Sequence, residues 1–328
     1  MFTPKEIRAF NFTRALQDAG ARRLTGTFEA EILQEATQKA GRAWSPESGG
    51  FHVPFELLRR DLLAANTGAA IVGTEQPFAL DVLRPYSATL RSGAQLMRFQ
   101  GNATVPRVAA PSTAHWLDDE SSDITESQAT IGQIAMTPKN VATLTEVSEQ
   151  MMRQTDIDRF LRRDMMRTLG TALDKATIAG SGSNGEPLGI LNTTGVGAVT
   201  GASFDWVDAT DMLLAVGEAD VDENITWFGA PGVRRLLSRR ERVSGGGRSI
   251  WDDREVAGFP AIASQIVPAG SLVLGAFGQV VIAIFADGID IQTQHTNFAR
   301  GLLSYRAWLS ADIAVTEPAA FARATSIT

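Results

Sequence analysis

The sequence predicts an α+β protein in which some parts lean away from the main body. Three observations carry that reading. One long amphipathic helix lies mid-chain, a pair of strand-like segments brackets an acidic stretch, and short helices and strands alternate toward the C-terminus. At 328 residues and 44% hydrophobic, the chain can bury one large core or two ordinary ones.

Residues 1 to about 48 are mixed-charge and helix-permissive, and Leu24 to Lys39 reads as a helix whose contacts lie elsewhere, on another chain. Ser45-Pro-Glu-Ser-Gly-Gly50 is a loop by its Pro, Ser and Gly. Phe51 to Pro54 is then a short extended segment, and Phe55 to Ala65 a short helix with Leu57, Leu58, Leu62 and Leu63 on one side. Between residues 81 and 137, Ala94–Phe99, Thr104–Val108 and Gln128–Met136 are strand-like, and they flank the polar stretch Trp116 to Thr125. Two strands with a long hydrophilic tip predict a projecting hairpin. Such a ribbon is marginal alone in water, so its partner surface is a neighbouring subunit.

The long helix is predicted from about Asp156 to Ile178. Thr155 stands at the N-cap, with acid in the first turn. Ile157, Leu161, Met165, Leu169, Ala172 and Ala176 repeat at helical period, and Gly180 marks the stop. Gly170 inside the helix costs about 1 kcal/mol against Ala, which points to close packing there. After a Gly/Asn-rich connection, helix Asp208–Glu218, strand Ile225–Gly229 and a helix opened by Pro231 follow. Strands are predicted around Pro260–Ile266, Ser271–Leu274, Val280–Phe285 and Ile289–Thr293. Leu302 to Val315 alternates as one long strand, ended by Pro318.

Composition removes several function classes. The net charge of −7 supplies no overall polycation for tight nucleic-acid binding. Zero Cys excludes disulfides, thiolate metal sites and thiol catalysis. Three scattered His (His52, His115, His295) offer no metal pair. The first thirty residues lack an apolar targeting core, and the most apolar run, Gly278 to Ala286, falls well short of the roughly 20 residues of a spanning helix. The chain is expected to be soluble, with no membrane partner.

The motifs are weak as chemistry. Gly180-Ser-Gly182-Ser-Asn-Gly185 is a literal GxGxxG, but it leaves a helix rather than a strand and runs into Glu186-Pro187, where a phosphate loop needs Lys-Ser/Thr. It reads as a helix stop followed by a turn. An α/β enzyme holding a phosphate ligand at this loop remains the distant alternative. Asp118, Asp119, Glu120 and Asp123 lack the alternating spacing of a calcium loop and read as a solvated tip, and Asp252-Asp253 reads the same way. His115 beside Trp116 reads as a packing pair. No catalytic constellation and no cofactor are predicted. Of the basic residues, only Lys5, Lys39, Lys139 and Lys175 are Lys; the rest are Arg, whose forks suit inter-subunit ion pairs. The run Arg234, Arg235, Arg239, Arg240 and Arg242 is read as facing acidic surfaces on neighbouring copies, with weak nucleic-acid contact as the alternative.

Five local signatures, in this order, resemble the tailed-bacteriophage major capsid proteins of the Hong Kong 97 type over roughly residues 49 to 325. They are Gly49-Gly-Phe-His-Val-Pro54; Trp116-Leu-Asp-Asp-Glu120 with Ser122-Asp-Ile-Thr125; Ser148-Glu-Gln-Met-Met and the long helix into Gly180-Ser-Gly182 and Pro187-Leu-Gly189-Ile-Leu191; Gly258-Phe-Pro260; and Asp312-Ile-Ala-Val315-Thr-Glu-Pro318. The resemblance implies an N-terminal arm (1–48), a peripheral domain (49–80, 131–203 and 289–328) with a spine helix at about 156–178, an extended loop (81–130) and an axial domain (204–288). The arm and the loop would reach over neighbours.

Trp116, Asp118, Asp119, Glu120, Arg234, Arg235, Arg239 and Arg240 are then inter-subunit contact candidates. The implied partners are further copies in hexamers and pentamers, portal, scaffolding and decoration proteins, and packaged double-stranded DNA held non-specifically. The location is the virion, with assembly in the host cytoplasm. Some relatives join a loop lysine to an asparagine of another subunit; residues 40 to 138 contain no Lys, Asp119 aligns at the lysine position and Gly301 near the asparagine, so no such crosslink is expected. The stretch before Gly49 is shorter than the scaffolding region that some relatives carry fused, so a separate scaffolding protein is expected. The near alternative is an encapsulin-like nanocompartment shell, which shares the fold but encloses enzymes.

Overall fold

The computed structural model describes residues 9–41, 44–45, 50–58, 83, 86–99, 101–110, 130–152, 157–221, 224–243, 245–285, 288–297 and 302–328. In chain order these form α1 (Phe12–Gly20), α2 (Phe28–Lys39), β1 (Gly50–Pro54), β2 (Gln95–Arg98), β3 (Ala103–Ala110), β4 (Thr130–Met136), β5 (Lys139–Ser148) and α3 (Ile157–Ala179). There follow β6 (Gly197–Thr200), α4 (Trp206–Gly217), β7 (Ile225–Gly229), α5 (Pro231–Leu237), β8 (Trp251–Asp252), β9 (Glu255–Val256) and β10 (Phe259–Ala263). The last strands are β11 (Leu272–Ala276), β12 (Val280–Ile284), β13 (Gly288–Asn297), β14 (Leu302–Val315) and β15 (Phe321–Thr325).

Three sheets organise them. The first runs β1-β13-β14-β12-β2, with β5 also paired along β14; the second runs β6-β15-β11-β7-β10-β9-β8; the third is the β3–β4 pair. β14 is long enough to pair with β13 and β5 along its first half and with β12 beyond Ser310. β7, β11 and β12 are buried at every position, so they read as apolar runs rather than as alternation.

α3 is the rod of about 35 Å that the sequence predicts. Leu161, Met165, Leu169 and Leu173 are buried along one side. A Cβ at Gly170 would stand 3.2 Å from both the Cβ and the carbonyl oxygen of Tyr86, which is the close packing that this glycine suggests. Arg162 is buried on α3, donates to the carbonyls of Leu57 (3.0 Å) and Phe10 (3.1 Å), and lies 5.5 Å from the ring centroids of Phe10 and Phe12. On the neighbouring sheet, buried His52 and Asp290 stand opposite one another on β1 and β13, 2.9 Å apart.

The N-terminal residues correct one expectation. The stretch Leu24 to Lys39 does not await another chain: α1 packs on α3 and β13, α2 packs on β1, and Phe10, Phe12, Leu16, Leu24 and Leu33 are fully buried in the main core. The sequence shows only modest apolar content there because a few large side chains do the covering.

Strand pairing also departs from the sequence-based grouping. β12 belongs to the first sheet although it falls within 204–288, while β6 and β15 belong to the second sheet although they fall within 131–203 and 289–328. The chain crosses from β11 to β12 and from β14 to β15 within a few residues, and sheet membership is set by which strands pair rather than by chain order. β5 carries no clear apolar alternation in sequence, because its positions alternate only between half-buried and exposed over most of its length.

Gly170 within α3 and Gly180 just after it should respond differently to alanine. A Cβ at Gly180 would fall 2.3 Å from the Pro187 carbonyl oxygen and 2.5 Å from that of Ala176, backbone on both sides. Gly180→Ala should therefore cost about 2–3 kcal/mol. Gly170→Ala trades about 1 kcal/mol of helix propensity against one tight contact and should be near neutral. Denaturant titration checks both.

Candidate functional site

The β3–β4 pair projects from a root that the rest of the molecule holds at two points. On the ascending side, the chain makes a helical turn at Ala88–Arg91 before β2. Its first residues close on the carboxylate of Asp174, which lies buried on α3. Ser87 Oγ (2.5 Å), Thr89 Oγ1 (2.5 Å) and Thr89 N–H (3.2 Å) donate to Oδ1, and Ala88 N–H (2.6 Å) donates to Oδ2. Gly170 lies one turn before Asp174, so α3 approaches Tyr86 closely just where the carboxylate takes hold. Burial pushes the Asp174 carboxyl up from its ordinary value, against the opposing pull of those four donors.

The descending side ends on a second buried carboxylate, Asp312 of β14. Thr137 N–H donates to Oδ2 (2.9 Å), and Lys139 Nζ (2.8 Å) and Ile313 N–H (2.9 Å) donate to Oδ1. Between these anchors sits a small separate core: Val105 of β3, Met136 of β4, Val281 and Ala283 of β12 and Ala314 of β14, with Phe99 and Phe285 at its edge. β2 runs parallel to β12 and leads the chain out through it. Farther out the ribbon loses cover, and Ile131 is 67% exposed.

Of the contact candidates, Trp116, Asp118, Asp119 and Glu120 lie outside the described residues, as do His115 and Gly301. The structure separates the arginines. Arg234, Arg235 and Arg239 are exposed on α5 and just after it, without an ion pair among the described residues. Arg240 instead donates to the carbonyls of Phe204 (2.5 Å) and Thr328 (2.7 Å). Arg242 lies 4.7 Å from the Trp206 ring centroid and donates to Ser249 O. These two hold their own chain together. Asp174 and Asp312 were missed as site residues, since a carboxylate inside a helix or strand pattern carries no sign of whether it faces water.

Residues 80–326 match the phage capsid family. The chain belongs to that family. The major capsid protein of Halomonas phage phiHAP-1 is 26% identical over 97% of this chain, and the chain spans about half (54%) of that curated relative's length. Among solved structures, the capsid of an empty GTA particle superposes with a TM-score of 0.58 at 18% identity, covering 82% of this chain and 97% of that one. The holo-SrpI encapsulin complex from Synechococcus elongatus PCC 7942 gives 0.52 at 17%, covering 81% and 94%. The architecture is the Hong Kong 97-type capsid fold.

In this phage capsid chain the Gly180–Gly185 run is a helix stop, and its geometry opposes anion binding. Gly180 N–H and Gly189 N–H close the end of α3, and Asn192 Nδ2 covers the carbonyls of Ala179 and Gly180. Ser181 N–H (3.1 Å) and Ser181 Oγ (2.7 Å) already donate to the Glu186 carboxylate, whose pKa they lower. A phosphate would meet a carboxylate at the negative end of a helix. No group of three or more potential ligands is arranged to hold a metal ion among the described residues, and no described helix is long and apolar enough to cross a membrane.

Removing the Asp174 carboxylate strands four buried donors. Asp174→Ala should cost about 3 kcal/mol and speed amide hydrogen exchange across residues 87–98. A folded-state pKa above the unfolded one means that the carboxyl contributes most below about pH 4 and loses that contribution as pH rises through the folded-state value. The stability difference between wild type and Asp174→Asn, from denaturant titrations between pH 4 and 8, should fall as pH rises.

Proposed function

We propose that this chain is the major shell subunit of a tailed double-stranded DNA phage or prophage, self-assembling into the icosahedral container of the genome. Membership of the phage capsid family across residues 80–326 carries the reading. A ribbon clamped at its root and bare farther out supports it, because such a part is useful only where something else covers it. The mechanism is geometric: modest contacts, repeated by symmetry, close a stable container. Its partners are copies of itself in hexamers and pentamers, with portal, scaffolding and decoration proteins completing the particle. Assembly takes place in the host cytoplasm. A net charge of −7 suits a vessel whose DNA must slide during packaging and release. The chain has no catalytic role in this reading.

The contact candidates act at subunit boundaries, with the segment Trp116 to Glu120 at the loop tip and the exposed arginines in the axial part. The sheet-based grouping refines the parts: β6, α4, β7 to β11 and β15 make the axial body, and the first sheet with α3 makes the peripheral one. A nanocompartment shell is the second reading, favoured by the superposition on the encapsulin complex.

Electron microscopy of particles assembled in the native host should show closed shells filled with double-stranded DNA. Shells packed with protein cargo would favour the nanocompartment, and a dispersed monomer under all conditions would overturn both. With Asp119 and Gly301 at the positions that resemble the crosslinking pair, boiled particles should run on a denaturing gel as a single band at subunit mass. A ladder of covalent multimers would overturn the absence of a crosslink.

A further inference from the structure

The axial body carries two opposite charges that it does not neutralise itself. Residues 205–233 contain seven acidic side chains and no basic one, whereas residues 234–248 contain six Arg against one Glu. On α4 the outward row is Val207, Asp211, Leu214 and Glu218, with Val207 59% and Leu214 62% exposed. Glu218 caps the C-terminus of α4, where a carboxylate works against the helix dipole. On α5 and just after it stand exposed Arg234, Arg235 and Arg239, followed in the chain by Val243, 66% exposed. None of these charges makes an ion pair among the described residues, so each face presents aliphatic surface and one uncancelled sign.

The β6–α4–β7 and β7–α5–β10 units are successive parallel crossovers stepping the same way across the second sheet. Constant handedness puts both helices on one side of it. α4 covers β6, β15 and β11, and α5 follows β7 in the connection toward β10. Arg240 and Arg242 reach the start of α4 at Phe204 and Trp206, but Asp211, Leu214 and Glu218 lie along the helix away from that end, and among the described residues none of these acids pairs with Arg234, Arg235 or Arg239. Complementary faces left unpaired within a molecule can meet between molecules, head to tail, and a repeated head-to-tail contact closes a ring.

We propose that the Val207–Asp211–Leu214–Glu218 face of α4 on one copy docks onto the Arg234–Arg235–Arg239 face of the next copy, and that this contact closes the ring of subunits. The occupant is a second copy of this chain, selected by charge complementarity and by aliphatic surface on both sides. This rests on the shell reading and names the contact that would build its capsomers.

The test uses two full-length variants. Arg235→Asp with Arg239→Asp makes both faces acidic, and Asp211→Arg with Glu218→Arg makes both faces basic. All four positions are exposed, so circular dichroism and melting should match wild type. By native mass spectrometry at low salt, wild type should form rings and each variant alone should lose them. A 1:1 mixture should recover rings by strict alternation, which permits six members and forbids five. All four changes in one chain should restore both sizes.

The docking is overturned if either variant forms rings as wild type does, or if the mixture and the combined variant both stay dispersed. Rings of wild type that ignore charge reversal would leave the shell reading standing and remove only this contact. Wild type that forms no ring or shell at all would remove the shell reading first.

Discussion

A two-stranded ribbon has no core, so its direction is set where it leaves the body. In this chain both of its feet end on buried carboxylates that collect backbone N–H groups. Asp174 receives the ascending foot and Asp312 the descending one. Backbone donors fix the path of the main chain itself, which side-chain packing alone would leave free to slide. The two acids sit on the longest helix and the longest strand among the described residues, the 23-residue α3 and the 14-residue β14. Between them, Met136 and Val105 press on β12 and β14, so the root cannot pivot without opening that small core. The exposed outer ribbon is thus aimed by a rigid base.

The local devices were legible in the sequence wherever a pattern had only one way to be satisfied. The apolar stripe from Ile157 to Ala176 needs a helix, Gly180 needs its end, and Leu302 to Val315 forms the single strand that its alternation suggests. Gly170 told of close packing before the partner, Tyr86, was visible. What was illegible depends on residues far apart in the chain. Nothing near Asp174 distinguishes it from the exposed charges of the same helix; the distinction comes from Ser87 to Thr89, nearly a hundred residues earlier. β12 looks like its neighbour β11, and only pairing with β14 assigns it to the other sheet. The N-terminal helices looked unpartnered because their cover comes from a few large side chains around Arg162, a cation that binds carbonyls and rings.

The Gly180–Gly185 loop illustrates why a motif is read with its flanks. Its glycines serve positive φ at Gly182 and Gly185 and the tight closure at Gly180 and Gly189. Its spare donors at Ser181 go to Glu186 within five residues. A phosphate site must keep its donors free for the ligand, and a loop that has already supplied its own carboxylate is spent as a binding site. The same question separates the arginines: Arg240 and Arg242 are committed to carbonyls and a ring of their own chain, while Arg234, Arg235 and Arg239 are left to face outward.

A closed shell demands both kinds of surface at once. Weak, repeated contacts add up to a closed container only if each subunit presents its faces at reproducible angles, since angular error accumulates around a ring. Rigid placement therefore matters more than the strength of any one pair, and surface ion pairs are individually worth little. For the proposed shell, the fold would meet that demand by spending its buried charges, Asp174, Asp312 and Arg162, on holding its own parts in place. Its exposed charges are left uncancelled, acid on α4 and arginine on α5. A chain that paired those surface charges internally would gain a little stability as a monomer and lose the polarity that distinguishes one side of a subunit from the other.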